Sequence, residues 1–172
     1  MVRTNSPLWI CAAMLFLQGC KDKPKDAAIP AQKQEVAVDY AAQLPVAGNM
    51  AEQLQVEAAA RPKDAIKVEA VLEALGKADV VVGNTKQFIA RTVLATYCFG
   101  GSTAKGNSVT VCEYASGDAA KAGLEHSQKQ FGTIANRTLT QNKLTVLTLV
   151  GGGDSAETKA EAAKAIEVFT KL

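Results

Sequence analysis

Tyr97-Cys-Phe-Gly-Gly-Ser-Thr-Ala-Lys-Gly-Asn-Ser-Val-Thr-Val-Cys-Glu-Tyr114 decides how this chain is read. Its two ends are rich in β-branched and aromatic residues, and the glycine-rich stretch Gly100 to Asn107 separates them. The first strand is expected to reach back to Phe88, giving Phe88–Phe99, and the second to cover Val109–Tyr114. A hairpin centred on Lys105 sets Cys98 and Cys112, each seven positions away, directly opposite one another.

Downstream, Ser116-Gly-Asp118 is a helix start, and Ala120, Gly123, Leu124, Ser127 and Phe131 keep helical spacing. A second strand pair, Ile134–Thr140 and Leu144–Val150, follows around Gln141-Asn-Lys143. Asp154-Ser-Ala-Glu157 resembles a capping box and opens a last helix striped by Ala162, Ala165, Ile166, Phe169 and Leu172. Upstream, Ile66, Val68, Val71, Leu72 and Leu75 form another helical stripe with Gly76 as its stop. Asp79–Gly83 is a short strand candidate. The order is α-ββα-ββα, and the similar lengths of the two ββα units suggest an internal duplication. The expected fold class is α+β, an antiparallel sheet of four to five strands with the helices on one face.

Composition separates this domain from what precedes it. All five prolines come before residue 63, whereas six of the nine aromatic residues come after it. The expected organisation is residues 1–19, residues 20–63 as a flexible Pro/Ala/Lys tether, and residues 64–172 as the globular domain. Asn49-Met-Ala-Glu52 resembles a capping box, which allows a weak helix to about Ala60 within the tether. The net charge of +2 argues against nucleic acid as a partner.

The first twenty residues carry an address. Arg3 gives a cationic start, Leu8 to Leu17 an apolar run too short to span a bilayer, and Leu17-Gln-Gly-Cys20 follows. This pattern resembles the lipobox signal of bacterial lipoproteins, with the resemblance confined to residues 1–20. It implies cleavage before Cys20 and acylation of that cysteine. It further implies a cell-envelope location, with Lys21 favouring the outer membrane over the inner one. Two or more acyl chains would anchor the protein stably while the polypeptide stays in water.

Export also places Cys98 and Cys112 in an oxidising compartment, where a disulfide is the expected state. Two buried free thiols are the alternative. A redox-active pair is disfavoured because the spacing is not Cys-x-x-Cys and no neighbouring cation is evident.

Chemical motifs are sparse. His126 is the only histidine and falls on the wet side of its helix, so no metal site or His-based catalytic set is expected. Ser102-Thr-Ala-Lys105 has the spacing of a serine–lysine pair but lies in a hairpin loop without the accompanying elements. Gly101–Gly106 lacks the lysine and the helix of a phosphate loop. Gly151-Gly-Gly-Asp154 is read as linker and cap. Glu113 and Tyr114, at a strand end beside Cys112, are the weak site candidates. No catalytic residue and no cofactor is assigned. Two function classes remain: a membrane-anchored, non-catalytic module that binds an envelope protein, glycan or small ligand, and a small envelope hydrolase using an unplaced carboxylate or hydroxyl.

Overall fold

The computed structural model describes residues 39–172; the expected signal segment 1–19, Cys20 and residues 21–38 lie outside the described residues. Two short helices come first, α1 (Tyr40–Gln43) and α2 (Met50–Ala59). Asn49 caps α2, accepting from the Glu52 amide, while Glu52 reaches back to the Gly48 amide at 3.2 Å. The expected cap is therefore present, but the helix is not part of a loose tether. Gln53 and Glu57 are buried, and the packed chain starts well before Asp64.

Helix α3 (Val68–Lys77) buries Val68, Val71 and Leu75, as the apolar stripe requires. Gly76 does not stop it. The chain turns at Asp79, whose φ of 60° is left-handed, with the Asp79 amide donating to Gly76 and the Val80 amide to Leu75. These are the two bonds of a Schellman end, and Val80 and Leu75 complete it by packing together in the core.

Five strands follow: β1 (Val82–Phe88), β2 (Tyr97–Thr103), β3 (Ser108–Glu113), β4 (Arg137–Asn142) and β5 (Thr145–Val150). They form one antiparallel sheet in the order β1-β2-β3-β5-β4. The expected strand Phe88–Phe99 is divided. A 3-10 turn at Ala90–Val93 and left-handed Leu94 separate the end of β1 from the start of β2. The hairpin loop is also shorter than expected, because Gly100 and Gly101 are paired residues of β2. A Cβ on Gly100 would stand 2.0 Å from the Val109 carbonyl oxygen, and one on Gly101 2.1 Å from that of Gly83. Glycine there permits close strand approach rather than a mobile tip. β1 is irregular in turn: its register shifts between Gly83 and Lys86, and Asn84 is left-handed. β4 starts at Arg137 instead of Ile134, because Asn136 is left-handed and Ile134 is exposed.

Helices cover both faces of this sheet. On one, α3 and α5 (Ala156–Thr170) pack on Tyr97, Val109, Val111, Leu147 and Leu149. On the other, α4 (Gly117–Phe131) and the 3-10 turn pack on Cys98, Cys112, Tyr114 and Val146. Residues of opposite parity in β2, β3 and β5 build the two clusters, so the one-face arrangement is corrected. The duplication fails for the same reason. Antiparallel neighbours β3 and β5 can be exchanged only by an axis normal to the sheet, and that axis would keep α4 and α5 on one face.

Candidate functional site

Cys98 and Cys112 form the expected disulfide, between directly paired residues with Cα atoms 4.1 Å apart. That spacing is typical of a non-hydrogen-bonded antiparallel pair. The two strand-end candidates beside it are separated by the pleat. Glu113 points toward α3 and Tyr114 toward α4, so they do not form one site.

Glu113 is fully buried and fully engaged. Arg61 donates to both its oxygens, from Nε at 3.1 Å and from Nη2 at 2.5 Å, and the Val68 amide donates at 3.0 Å. Lys67 stands 3.6 Å away. Arg61 also forms a fork to Glu69, with two bonds of 2.7 Å, and lies over the Tyr97 ring at 4.2 Å. Hydrogen bonding to Glu69 and then to Glu113 raises the Arg61 pKa above its ordinary range, and the Arg61 bond holds the Glu69 carboxyl low. Three of the roughly four acceptor sites of this buried carboxylate are taken by the guanidinium and a backbone amide, which commits it to a structural role. Its effect is to tie the segment before α3 to the end of β3.

The other two buried glutamates are used in the same way. Glu57 of α2 accepts from the amides of Ala90 and Arg91, at 2.8 and 3.1 Å, and so caps the 3-10 turn. Glu161 of α5 accepts from the Thr103 hydroxyl and the Asn107 side chain, at 2.5 and 2.7 Å, and so fixes the β2–β3 turn. Among the described residues, no three of His, Cys, Asp and Glu converge as metal ligands. His126 is partly exposed on α4. Ser102 is exposed and paired with Ser108 within the β2–β3 hairpin.

The α4 face differs in having space. A cavity of about 460 Å³ lies between α4, the 3-10 turn and the sheet. Phe88, Val93, Phe131, Ile134 and Leu139 wall it, and the disulfide, Thr110 and Thr148 form its floor. Its volume falls within the roughly 300–1,000 Å³ typical of small-ligand pockets. Polar groups are few. The Tyr114 hydroxyl donates to the Val93 carbonyl at 3.2 Å, and burial raises its pKa well above the ordinary tyrosine value.

Arg137 supplies the positive charge in this lining. It donates to the Ser127 carbonyl at 3.2 Å and to the Ser127 hydroxyl at 2.5 Å, with its guanidinium 5.6 Å from the Phe131 ring centre. Desolvation lowers its pKa. Arg137 and Ile134 also line two smaller recesses beside β4, which places them at the rim of the cavity.

Arg61, Glu57, Glu161 and Arg137 were not singled out in the sequence. Apart from Gln53, which donates to Glu57 from one turn earlier, the partners of the three buried glutamates lie 33 to 58 positions away, beyond any local pattern. Arg137 did leave a trace: it is the lone charge in Arg137-Thr-Leu-Thr-Gln-Asn142, in phase with the inward-facing Leu139. Among the described residues no helix is long and apolar enough to cross a membrane. Compared with protein-family models, curated proteins and solved structures, the chain matches none.

Proposed function

We propose that this chain is a lipid-anchored protein of the bacterial cell envelope, acylated at Cys20 and favouring the outer membrane. Its folded part would serve as a non-catalytic module that binds a small apolar ligand. The cavity beneath α4 carries this reading: an apolar space of about 460 Å³ with few polar groups in its lining. The engagement of Glu57, Glu113 and Glu161 in structural bonds takes support from the hydrolase alternative. The anchor rests on the lipobox resemblance alone.

N-phenyl-1-naphthylamine, a neutral apolar fluorophore, tests the module. Unacylated Cys20→Ala protein in detergent-free buffer should give saturable fluorescence enhancement. Adding Thr148→Phe, which fills the cavity floor, should abolish it without lowering the melting temperature. An absence of saturable binding to the parent protein overturns the reading. The same Cys20→Ala change should remove incorporation of an alkyne-palmitate label in cells, and retained label rejects the anchor.

A further inference from the structure

We infer that the cavity beneath α4 takes a single-chain amphiphile carrying one negative charge, a long-chain carboxylate, with its head on Arg137 and its tail over the Cys98–Cys112 disulfide. This rests on the reading of that cavity as a ligand site and adds the chemistry of the ligand.

The charge comes from comparing two of the three half-buried arginines among the described residues, Arg61 and Arg137, since Arg91 lies outside the cavity lining. Arg61 sits between two carboxylates and is balanced. Arg137 is withdrawn from water to a similar degree, yet among the described residues no carboxylate lies within 4.0 Å of it. Its bonds go to a neutral carbonyl and a neutral hydroxyl, both of Ser127. A guanidinium has five N–H donors in a planar fork that matches a carboxylate. Holding such a group partly desolvated beside an aromatic ring and an apolar cavity is unfavourable unless an anion completes it.

The number of charges and chains follows from the surroundings. Arg137 is the only Lys or Arg among the residues lining this cavity, so one negative charge is matched and a doubly charged phosphate monoester is not. Phe88, Val93, Phe131, Ile134 and Leu139 give the walls a mainly apolar surface, suited to an alkyl body, with neutral hydroxyls between them. A space of about 460 Å³ accommodates one such chain and excludes the two chains of a phospholipid. The rim position of Arg137 beside exposed Ile134 puts the head near solvent and the tail inward.

Photo-crosslinking in membranes from cells expressing the full chain provides the test. The probes are dodecanoic acid and 1-dodecanol, each carrying a diazirine on the alkyl chain, with labelled peptides mapped by mass spectrometry. Label is normalised to the α2 peptide of the same sample. A charge-assisted contact at such a site corresponds to about a tenfold preference. The acid should therefore label peptides containing Val93, Ile134 and Leu139 about ten times more than the alcohol. Arg137→Gln should bring that ratio close to one while alcohol labelling persists, and Arg137→Lys should retain part of the preference. Equal labelling by acid and alcohol in the unsubstituted protein overturns the inference but leaves the apolar ligand site standing. That comparison needs no variant, so a poorly folded Arg137→Gln protein cannot obscure it. If neither probe reaches the cavity peptides, or label appears only on other surfaces, the inference and the ligand-site reading fail together.

Discussion

The two faces of one sheet are built by different means. On the α3/α5 face the buried carboxylates of Glu113 and Glu161 find their hydrogen-bond partners within the chain: Glu113 takes Arg61 and the Val68 amide, and Glu161 takes the neutral Thr103 hydroxyl and Asn107 side chain. On the α4 face the chain closes over a covalent bond and a cavity, and Arg137 is satisfied only by neutral groups. The first face has used up its polar chemistry in holding itself shut. The second retains space beside Arg137, which has no carboxylate partner among the described residues, and space with a few placed polar groups is what ligand sites require.

The largest expected effect breaks the closed face. Glu113→Ala leaves Arg61 pressed on Tyr97 with one fewer carboxylate and orphans the Val68 amide. Removing one partner of a buried pair typically costs about 3–5 kcal/mol. A drop of that size in urea unfolding is expected, with an unchanged m-value. A loss below about 1 kcal/mol would remove the contrast between the faces.

Next comes the α4 face. Reducing the Cys98–Cys112 bond, or replacing both residues with serine, opens a loop of about 15 residues that the chain-entropy model values at ~3 kcal/mol. The same change alters the cavity floor. Fluorophore binding should weaken together with stability here, whereas Glu113→Ala should reduce stability and leave the affinity of the remaining folded protein intact. Calorimetry and fluorophore titration on both variants separate the two outcomes.

The smallest effects are in pH, and they have opposite signs on the two faces. Glu69 is held below its ordinary value of 4.5 by Arg61, so its contribution is present above that pH and lost as pH falls through the lowered value. Tyr114 is raised above its ordinary value of 10.0 by burial, so the folded state retains a proton that the unfolded state releases. Stability must therefore fall as pH rises past about 10. Glu69→Gln should flatten the acid limb alone and Tyr114→Phe the alkaline limb alone, read from melting temperatures between pH 3 and 11.

Much of the fold was legible because its signals are local. The apolar spacing of Val68, Val71 and Leu75 marked α3, and the equal distances of Cys98 and Cys112 from Lys105 set the true β2–β3 register. The division of Phe88–Phe99 was not legible, because the carboxylate capping its 3-10 turn arrives from Glu57, 33 positions earlier. Two-sided coverage did leave a sign. Thr145-Val-Leu-Thr-Leu-Val150 is almost continuously apolar, the pattern of a strand buried on both faces, where a strand with one wet face would alternate. The candidate site was legible only in part. Tyr114 lines the cavity and Glu113 does not, since adjacent strand residues point to opposite sides of the sheet.

The irregularity in β1 bears on how copies of this chain meet. An open sheet offers unpaired amides and carbonyls along its outer strands, and a neighbour can continue the ladder there. On the β1 side, the register shift between Gly83 and Lys86, left-handed Asn84 and exposed Lys86 put those groups out of step and set a charge among them. β4 at the opposite border pairs with β5 without interruption from Arg137 to Asn142. The β1 border is thus blunted against edge-to-edge pairing, whereas the β4 border keeps the regular geometry that a neighbouring strand could extend.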